Sequence, residues 1–306
     1  MALTLSIIIV NYNTKDFLKQ CLTLLYAQKH PFSFETIIVD NNSHDGSVAM
    51  VQENFKQVRC IENKENLGFA RANNMSIRIA RGRYILLLNS DTEVIGDALL
   101  RLVRFLDLRP EVAVVTARLV YPDFTDQGVA RTFPMPINSL LGRRSLLTRL
   151  FPNNRFSKKY LVSRMHTSAE PFEVDWVSGA CLMVRREVLE DTGLLDERFF
   201  MYWEDADLCF RIKQKGWKIY CVPEAVVIHH EGKSTQKRTH SRLIIEFNKS
   251  AYRYYRKHHI RSSFEVMNLV AIFGLALRTL ILLAANLFKE RIGSEGERAD
   301  ILHERL

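Results

Sequence analysis

Short apolar runs and longer amphipathic stretches alternate along the first third of the chain. Leu5–Val10, Glu35–Asp40, Val58–Glu62 and Tyr84–Asn89 are rich in Ile, Val and Leu, while residues 15–27, 46–55, 68–80 and 96–108 carry apolar positions at helical spacing. Runs without strict alternation suit strands covered on both faces. Their alternation with helices predicts an α/β fold, a Rossmann-like, mostly parallel sheet flanked by helices. After a strand at Val112–Thr116 the rhythm breaks, and residues 121–170 read as an irregular basic loop or lid. Strands are expected again at Phe172–Trp176 and Ala180–Val184. A helix is expected from about Trp203 to Lys215, with Gly216 in its C-terminal turn. Short strands at Trp217–Val222 and Ala225–His229 precede a basic amphipathic helix at 238–258.

Residues 266–288 are nearly all apolar. As a helix they measure about 34 Å, enough to cross a bilayer. Arg278 opposes a simple crossing, at about 2.5–3.5 kcal/mol near mid-bilayer. Asn268, Arg278, Thr279 and Asn286 share one side of the helical wheel, although Leu275 and Leu282 interrupt that stripe. A membrane-associating helix lying in the interface is expected, with a helix packed on the domain or in a homodimer as the alternative. The division is then a domain at 1–235, a basic helix plus an apolar interfacial or membrane helix at 236–288, and a charged tail at 289–306.

Charge sharpens this picture. The net charge is +9, but residues 127–169 hold eight Lys/Arg and no acid, and residues 233–261 hold nine with Glu246 as the one acid. Such patches suit a polyanion or an anionic membrane surface. No nucleic-acid-binding module accompanies them, so nucleic acid is not expected as a partner. No secretory signal is read at the N-terminus. Five cysteines without metal-ligand spacing read as reduced thiols, four of them buried.

Ligands of open α/β sheets gather at the carboxyl ends of the strands. Here those ends carry Asn11-Tyr12-Asn13, Asp40-Asn41-Asn42-Ser43 and Asn89-Ser90-Asp91. Asp40 can accept from the donor edge of a nucleobase, or simply cap a turn together with Asn42. The string Asn66-Leu67-Gly68-Phe69-Ala70-Arg71 opens a helix, where Gly68 permits close approach and Arg71 can reach a phosphate. Asp91 is a candidate ligand for Mg2+ or Mn2+, cations that take oxygen donors from one or two carboxylates and substrate phosphates. A second ligand is expected from His229, with His230 the alternative on the opposite face. In Trp203-Glu204-Asp205-Ala206-Asp207, Asp205 is the candidate general base and Glu204 its rival, while Asp207 with Arg211 forms a helical ion pair. Tyr202 and Trp203 stack on a sugar or fill the core. No G-x-G-x-x-G follows the first strand, which argues against a dinucleotide dehydrogenase.

Taken in order, Ser6-Ile7-Ile8-Ile9-Val10-Asn11-Tyr12-Asn13, Val39-Asp40-Asn41-Asn42-Ser43, Asn66-Leu67-Gly68-Phe69-Ala70, Leu88-Asn89-Ser90-Asp91, Val177-Ser178-Gly179-Ala180 and Trp203-Glu204-Asp205-Ala206-Asp207-Leu208 resemble a family 2 glycosyltransferase of the GT-A fold. The bacterial rhamnosyltransferase-like branch is the nearest resemblance. It covers roughly 4–235. The resemblance implies a nucleotide-sugar site at Asn11, Tyr12, Asn13, Asp40, Asn42, Asn66, Gly68, Arg71, Asn89, Ser90 and Asp91. It implies metal at Asp91 and near His229, a base at Asp205, and acceptor contacts from Gly179, Tyr202 and Trp203. Asn-Ser-Asp stands where the common aspartate-rich metal motif would be, a variant that this branch uses. The implied reaction is an inverting, Mn2+- or Mg2+-dependent transfer of a hexose, with dTDP-L-rhamnose or another nucleotide hexose as donor. The implied acceptor is a lipid-linked or cell-surface glycan, and the implied place is the cytoplasmic face of a bacterial inner membrane. Two alternatives stand beside it: a polyprenyl-phosphate glycosyltransferase, and a catalytically inactive nucleotide-sugar-binding module at the membrane.

Overall fold

The computed structural model describes residues 3–128, 131–135, 169–230, 240–260, 262 and 265–303. The central stretch of the expected basic loop, 136–168, and the first part of the second basic patch, 231–239, lie outside the described residues. The described residues divide into two compact units, a sheet with its helices and a pair of C-terminal helices.

In the first unit the elements run β1 (Leu5–Asn11), α1 (Lys15–Ala27), β2 (Phe34–Asp40), α2 (Ser47–Asn54), β3 (Arg59–Glu62), α3 (Phe69–Ile79), β4 (Tyr84–Asn89), β5 (Thr92–Val94), α4 (Ala98–Leu108), β6 (Val112–Val120), β7 (Phe172–Glu173), β8 (Cys181–Arg185), α5 (Arg186–Thr192), α6 (Glu204–Gln214) and β9 (Lys218–His229). They form one sheet of order β3-β2-β1-β4-β8-β6-β9-β5, with β7 also on β9. β3, β2, β1 and β4 are parallel, as the βα rhythm predicts. Beyond β4 the sheet is mixed, because β8 runs antiparallel to both β4 and β6.

The apolar runs explain the layering. Leu5, Ile7 and Ile9 of β1 join Leu18, Leu22 and Leu25 of α1 and Leu99, Leu102 and Leu106 of α4 in one core. Ile8 points to the other face and is equally buried. Both faces of β1 are therefore covered, and each fully buried Ile or Leu contributes about 1.5–3 kcal/mol. Four of the five cysteines are buried and all are free thiols; burial pushes the Cys21 thiol up to about 12.

Three differences from the sequence reading bear on the site. The two short strands expected at 217–222 and 225–229 are one strand, β9. Its pairing with β6 jumps from Ala117↔Val222 to Arg118↔Val226, so Pro223, Glu224 and Ala225 are looped out. Pro223 has no N–H to give the ladder, and its turn-like signature read as a strand end. β5 was not expected; three residues are too few to show a period. The expected strand 172–176 shortens to β7, with Trp176 held instead by a single bridge to Arg131.

The second unit holds α7 (His240–His258) and α8 (Val266–His303). α8 continues beyond 288 through residues expected to form a separate tail. Residues 304–306 lie outside the described residues.

Candidate active site

The parallel strands deliver their polar tips side by side, with Asn11 opposite Asp40 and Val10 opposite Asn89. Side chains then lock the tips together. Asn11 Nδ2 donates to Asp40 Oδ2 at 2.7 Å and to Ser43 Oγ at 3.1 Å, and the Ser43 amide donates to Asp40 Oδ1 at 2.7 Å. Thr14 Oγ1 gives its one proton to the Asn11 side-chain oxygen Oδ1 at 2.6 Å, so the Ser90 hydroxyl at 2.8 Å is the donor to Thr14. A continuous chain thus links the ends of β4, β1 and β2. Asn13 and Asn42 have φ of 53° and 65°. Asparagine tolerates this left-handed conformation, so these two residues shape the loops as well as lining them. Tyr12 is exposed at the tip of β1.

Gly68 has a different use from the ligand approach expected of it. At φ +82°, an added Cβ would lie 2.3 Å from the Phe200 carbonyl oxygen, to which the Phe69 amide donates at 2.7 Å. The first turn of α3 is thereby engaged by the protein's own loop. Asn74 completes that clamp, donating to Leu195 O at 2.8 Å and accepting from Leu195 N at 3.1 Å. Asn66 caps Gly68 N at 2.9 Å, and Arg71 is exposed.

Asp91 sits in the turn between β4 and β5. The pairing of Thr92 with His229 carries that histidine alongside it. His229 Nε2 lies 3.3 Å from Asp91 Oδ1 and 3.3 Å from Asn89 Nδ2. Gln127, buried, donates from Nε2 to the His229 carbonyl at 2.6 Å, which turns its Oε1 to His229 Nδ1 at 2.9 Å. Nδ1 therefore carries a proton, and in the neutral imidazole the Nε2 lone pair faces Asp91. Two acceptor atoms so close repel unless a positive charge lies between them. Ligands bound to one cation at right angles stand about 3 Å apart, so the pair fits a divalent ion. Among the described residues no group of three His, Cys, Asp or Glu assembles; substrate phosphates and water would complete the shell. His230 faces away, bonded to Glu93 and in tilted ring contact with Phe17. Geometry thus favours His229 over its neighbour.

The base candidate is reached through β8. The Asn89 amide donates to Ala180 O at 3.1 Å, and the Gly179 amide donates to Asp205 Oδ2 at 3.0 Å. One dipeptide therefore ties Asp205 to the end of β4. Burial pushes the Asp205 carboxyl above its ordinary value, while the Gly179 and Ala206 amides and the Arg131 guanidinium pull it back. Glu204, 4% exposed, has an Oε2 with no hydrogen-bond partner among the described residues. Burial, with Asp205 beside it, holds its carboxyl well above the usual range. Asp205 is half-buried and Glu204 is buried, so Asp205 is the more accessible of the two carboxyls. Asp207 is fully buried against Arg211 at 2.9 Å, the ion pair expected of it. Tyr202 and Trp203 have φ of 68° and 74°. Two consecutive left-handed residues of this size cost about 1–3 kcal/mol each, and strain of this kind clusters at functional sites.

The candidates Asn11, Asp40, Asn89, Ser90, Asp91, Gly179, Asp205 and His229 are joined in one chain of contacts that runs through Thr14 and Ala180. Thr14, Gln127 and Arg131 belong with them and were not singled out by sequence. Arg131 stacks on Trp176, with its guanidinium carbon 4.9 Å from the ring centroid.

Known proteins are similar to this chain in sequence and in fold. The Glycosyl transferase family 2 profile matches residues 6–193. An N-acetylglucosaminyl-diphospho-decaprenol L-rhamnosyltransferase of Mycobacterium tuberculosis is 28% identical over 299 residues, 94% of this chain and 95% of that protein. Rhamnosyltransferase WbbL of Escherichia coli is 25% identical over 73% of this chain and 82% of its own. Among solved structures, GalNAc-T7 with UDP, GalNAc and Mn2+ has a TM-score of 0.64 at 19% identity over 83% of this chain, which spans 48% of that one. The mannosyltransferase PcManGT of Pyrobaculum calidifontis, with GDP-Man and Mn2+, has a TM-score of 0.58 at 17% identity over 98% of this chain and 81% of its own. The profile runs from β1 into α5, more than half of the chain, so the chain belongs to glycosyl transferase family 2, as a glycosyltransferase of its rhamnosyltransferase-like branch on the GT-A fold.

Proposed function

We propose that the protein transfers a hexose, L-rhamnose from dTDP-L-rhamnose, to a hydroxyl of a lipid-linked glycan, with inversion, at the cytoplasmic face of the inner membrane. The observation that carries this reading is the Gly179–Ala180 dipeptide, which holds Asp205 next to the strand end bearing Asp91 and His229. The names of the mycobacterial and Escherichia coli relatives support the sugar, and the mycobacterial name supports a carrier-linked acceptor.

In this reading Asp205 takes the proton of the acceptor hydroxyl. The freed oxygen forms its bond to the anomeric carbon as the bond from that carbon to the diphosphate breaks on the opposite side. Asp91 and His229 would hold Mn2+ or Mg2+, which neutralises charge on the leaving diphosphate. The chain Ser90–Thr14–Asn11–Asp40 keeps the nucleotide side in shape before donor arrives, so little ordering remains at binding. Tyr202, Trp203 and Gly179 flank the base on the acceptor side.

The test is a donor panel of dTDP-L-rhamnose, UDP-GlcNAc and GDP-mannose with a short polyprenyl-diphosphate GlcNAc acceptor, with and without Mn2+. Release of dTDP alone and a product of inverted anomeric configuration by NMR are expected. Asp91→Ala should lose the metal-stimulated part of donor binding in calorimetry; unchanged metal stimulation in that variant removes Asp91 from the proposed site. Transfer to polyprenyl monophosphate with none to the GlcNAc carrier would replace the acceptor named here.

A further inference from the structure

α8 is apolar along most of Val266–Asn286, yet it carries Asn268, Arg278, Thr279 and Asn286. Within the second unit every one of these except Thr279 is turned to α7. Tyr252 Oη donates to Asn268 Oδ1 at 3.0 Å, Arg278 lies over the Phe247 ring at 4.8 Å, and Asn286 Nδ2 donates to Ser241 Oγ at 3.1 Å. Thr279 bonds back to Leu275 O at 2.7 Å. The order of these contacts makes α7 and α8 an antiparallel hairpin, joined along most of α7. The face of α8 turned away from α7 is a stripe at seven-residue spacing, with Val266, Phe273 and Leu280 at least 66% exposed and Leu269 and Leu277 about half exposed. The exposed positions of α7 are Arg242, Lys249, Arg253 and Lys257, with Ile245 among them. Lys249 also contacts Glu246 at 3.1 Å. A groove of about 340 Å3 has Ile245 and Lys249 on one wall and Ile272 and Ala276 on the other, so the cationic edge and the apolar face meet on one side.

We propose that this hairpin is a flat membrane-docking element. The apolar face of α8 enters the interface of an anionic bilayer, and the cationic edge of α7 lies against lipid phosphates. Charge complementarity selects this occupant: a second copy would bring the same cations against each other, whereas an anionic leaflet attracts them. A crossing of the bilayer by α8 is disfavoured because α7 is bonded along it and would carry four cations into hydrocarbon. The proposal extends the membrane location given above but does not require the sugar chemistry.

The full chain is incubated with vesicles of phosphatidylcholine, alone or mixed with phosphatidylglycerol, and sedimented. Binding should need the anionic lipid and fall with salt. Arg253→Gln with Lys257→Gln should weaken it by roughly 30-fold. Leu277→Asp with Leu280→Asp should release the protein from the mixed vesicles. Transfer to a water-soluble acceptor should be unchanged in these variants, so loss of docking and loss of catalysis are read separately. A tag after Leu306 should be cut by protease added to sealed inverted membrane vesicles. Protection of that tag overturns the flat orientation. Equal binding to neutral vesicles overturns the role of the cations, and a dimer by ultracentrifugation that dissolves on Leu277→Asp, without vesicle binding, overturns the proposal whole.

Discussion

The two sides of the site are built differently. On the nucleotide side, Asn11, Thr14, Asp40, Ser43 and Ser90 satisfy one another through short hydrogen bonds, and the left-handed positions fall on asparagines that accept them readily. On the transfer side, Asp205 and Glu204 are two carboxyls in one helical turn, one of them with an unmet oxygen, reached through two aromatic residues in a conformation they disfavour. The first side is relaxed and the second is strained. Donor recognition profits from a surface that needs no rearrangement, whereas proton removal needs a carboxylate raised above its resting value.

Asp205→Asn should separate the two sides most sharply. Turnover should fall by about 10²–10⁴ while donor affinity, measured by calorimetry with Mn2+, stays near wild type; a comparable fall in affinity would mean that the sides are not independent. Next in size, Gln127→Leu should release the His229 ring and weaken Mn2+ binding by about 10–100-fold, read by manganese relaxation in the absence of donor. Smallest is Glu204→Gln. The folded-state value of Glu204 lies above its unfolded value, so the folded protein holds that proton as pH rises and loses stability until the carboxyl ionises. The neutral amide should therefore raise the melting temperature by roughly a few degrees near neutral pH. The gain should shrink as pH falls to the ordinary carboxylate range. Melting curves across that range decide it, and a gain that grows on acidification contradicts the assignment.

How much of this was legible in the chain depends on how far the contacts reach. The first four parallel strands and their tips follow from local patterning, and the chain shows them plainly. Asp205 was preferred over Glu204 from the sequence string, and in the structure it is the more exposed of the two. His229 over His230 could not be decided by sequence, because adjacent positions point to opposite faces and the choice rests on β5, too short to read. Gln127 and Arg131 sit in a segment without periodicity, so nothing local marked them; each is placed by a partner about forty or more residues away, Trp176 for Arg131 and His229 for Gln127. Gly68 was read for the right property, close approach, with the wrong neighbour. The sequence cannot say whether a carbonyl or a phosphate will occupy the space that a missing Cβ leaves.

β8 runs against its neighbours, so the start of that strand abuts the finish of β4. The spacing between proton acceptor and cation ligands is consequently set by sheet register, the stiffest ruler in the molecule, and by no surface segment.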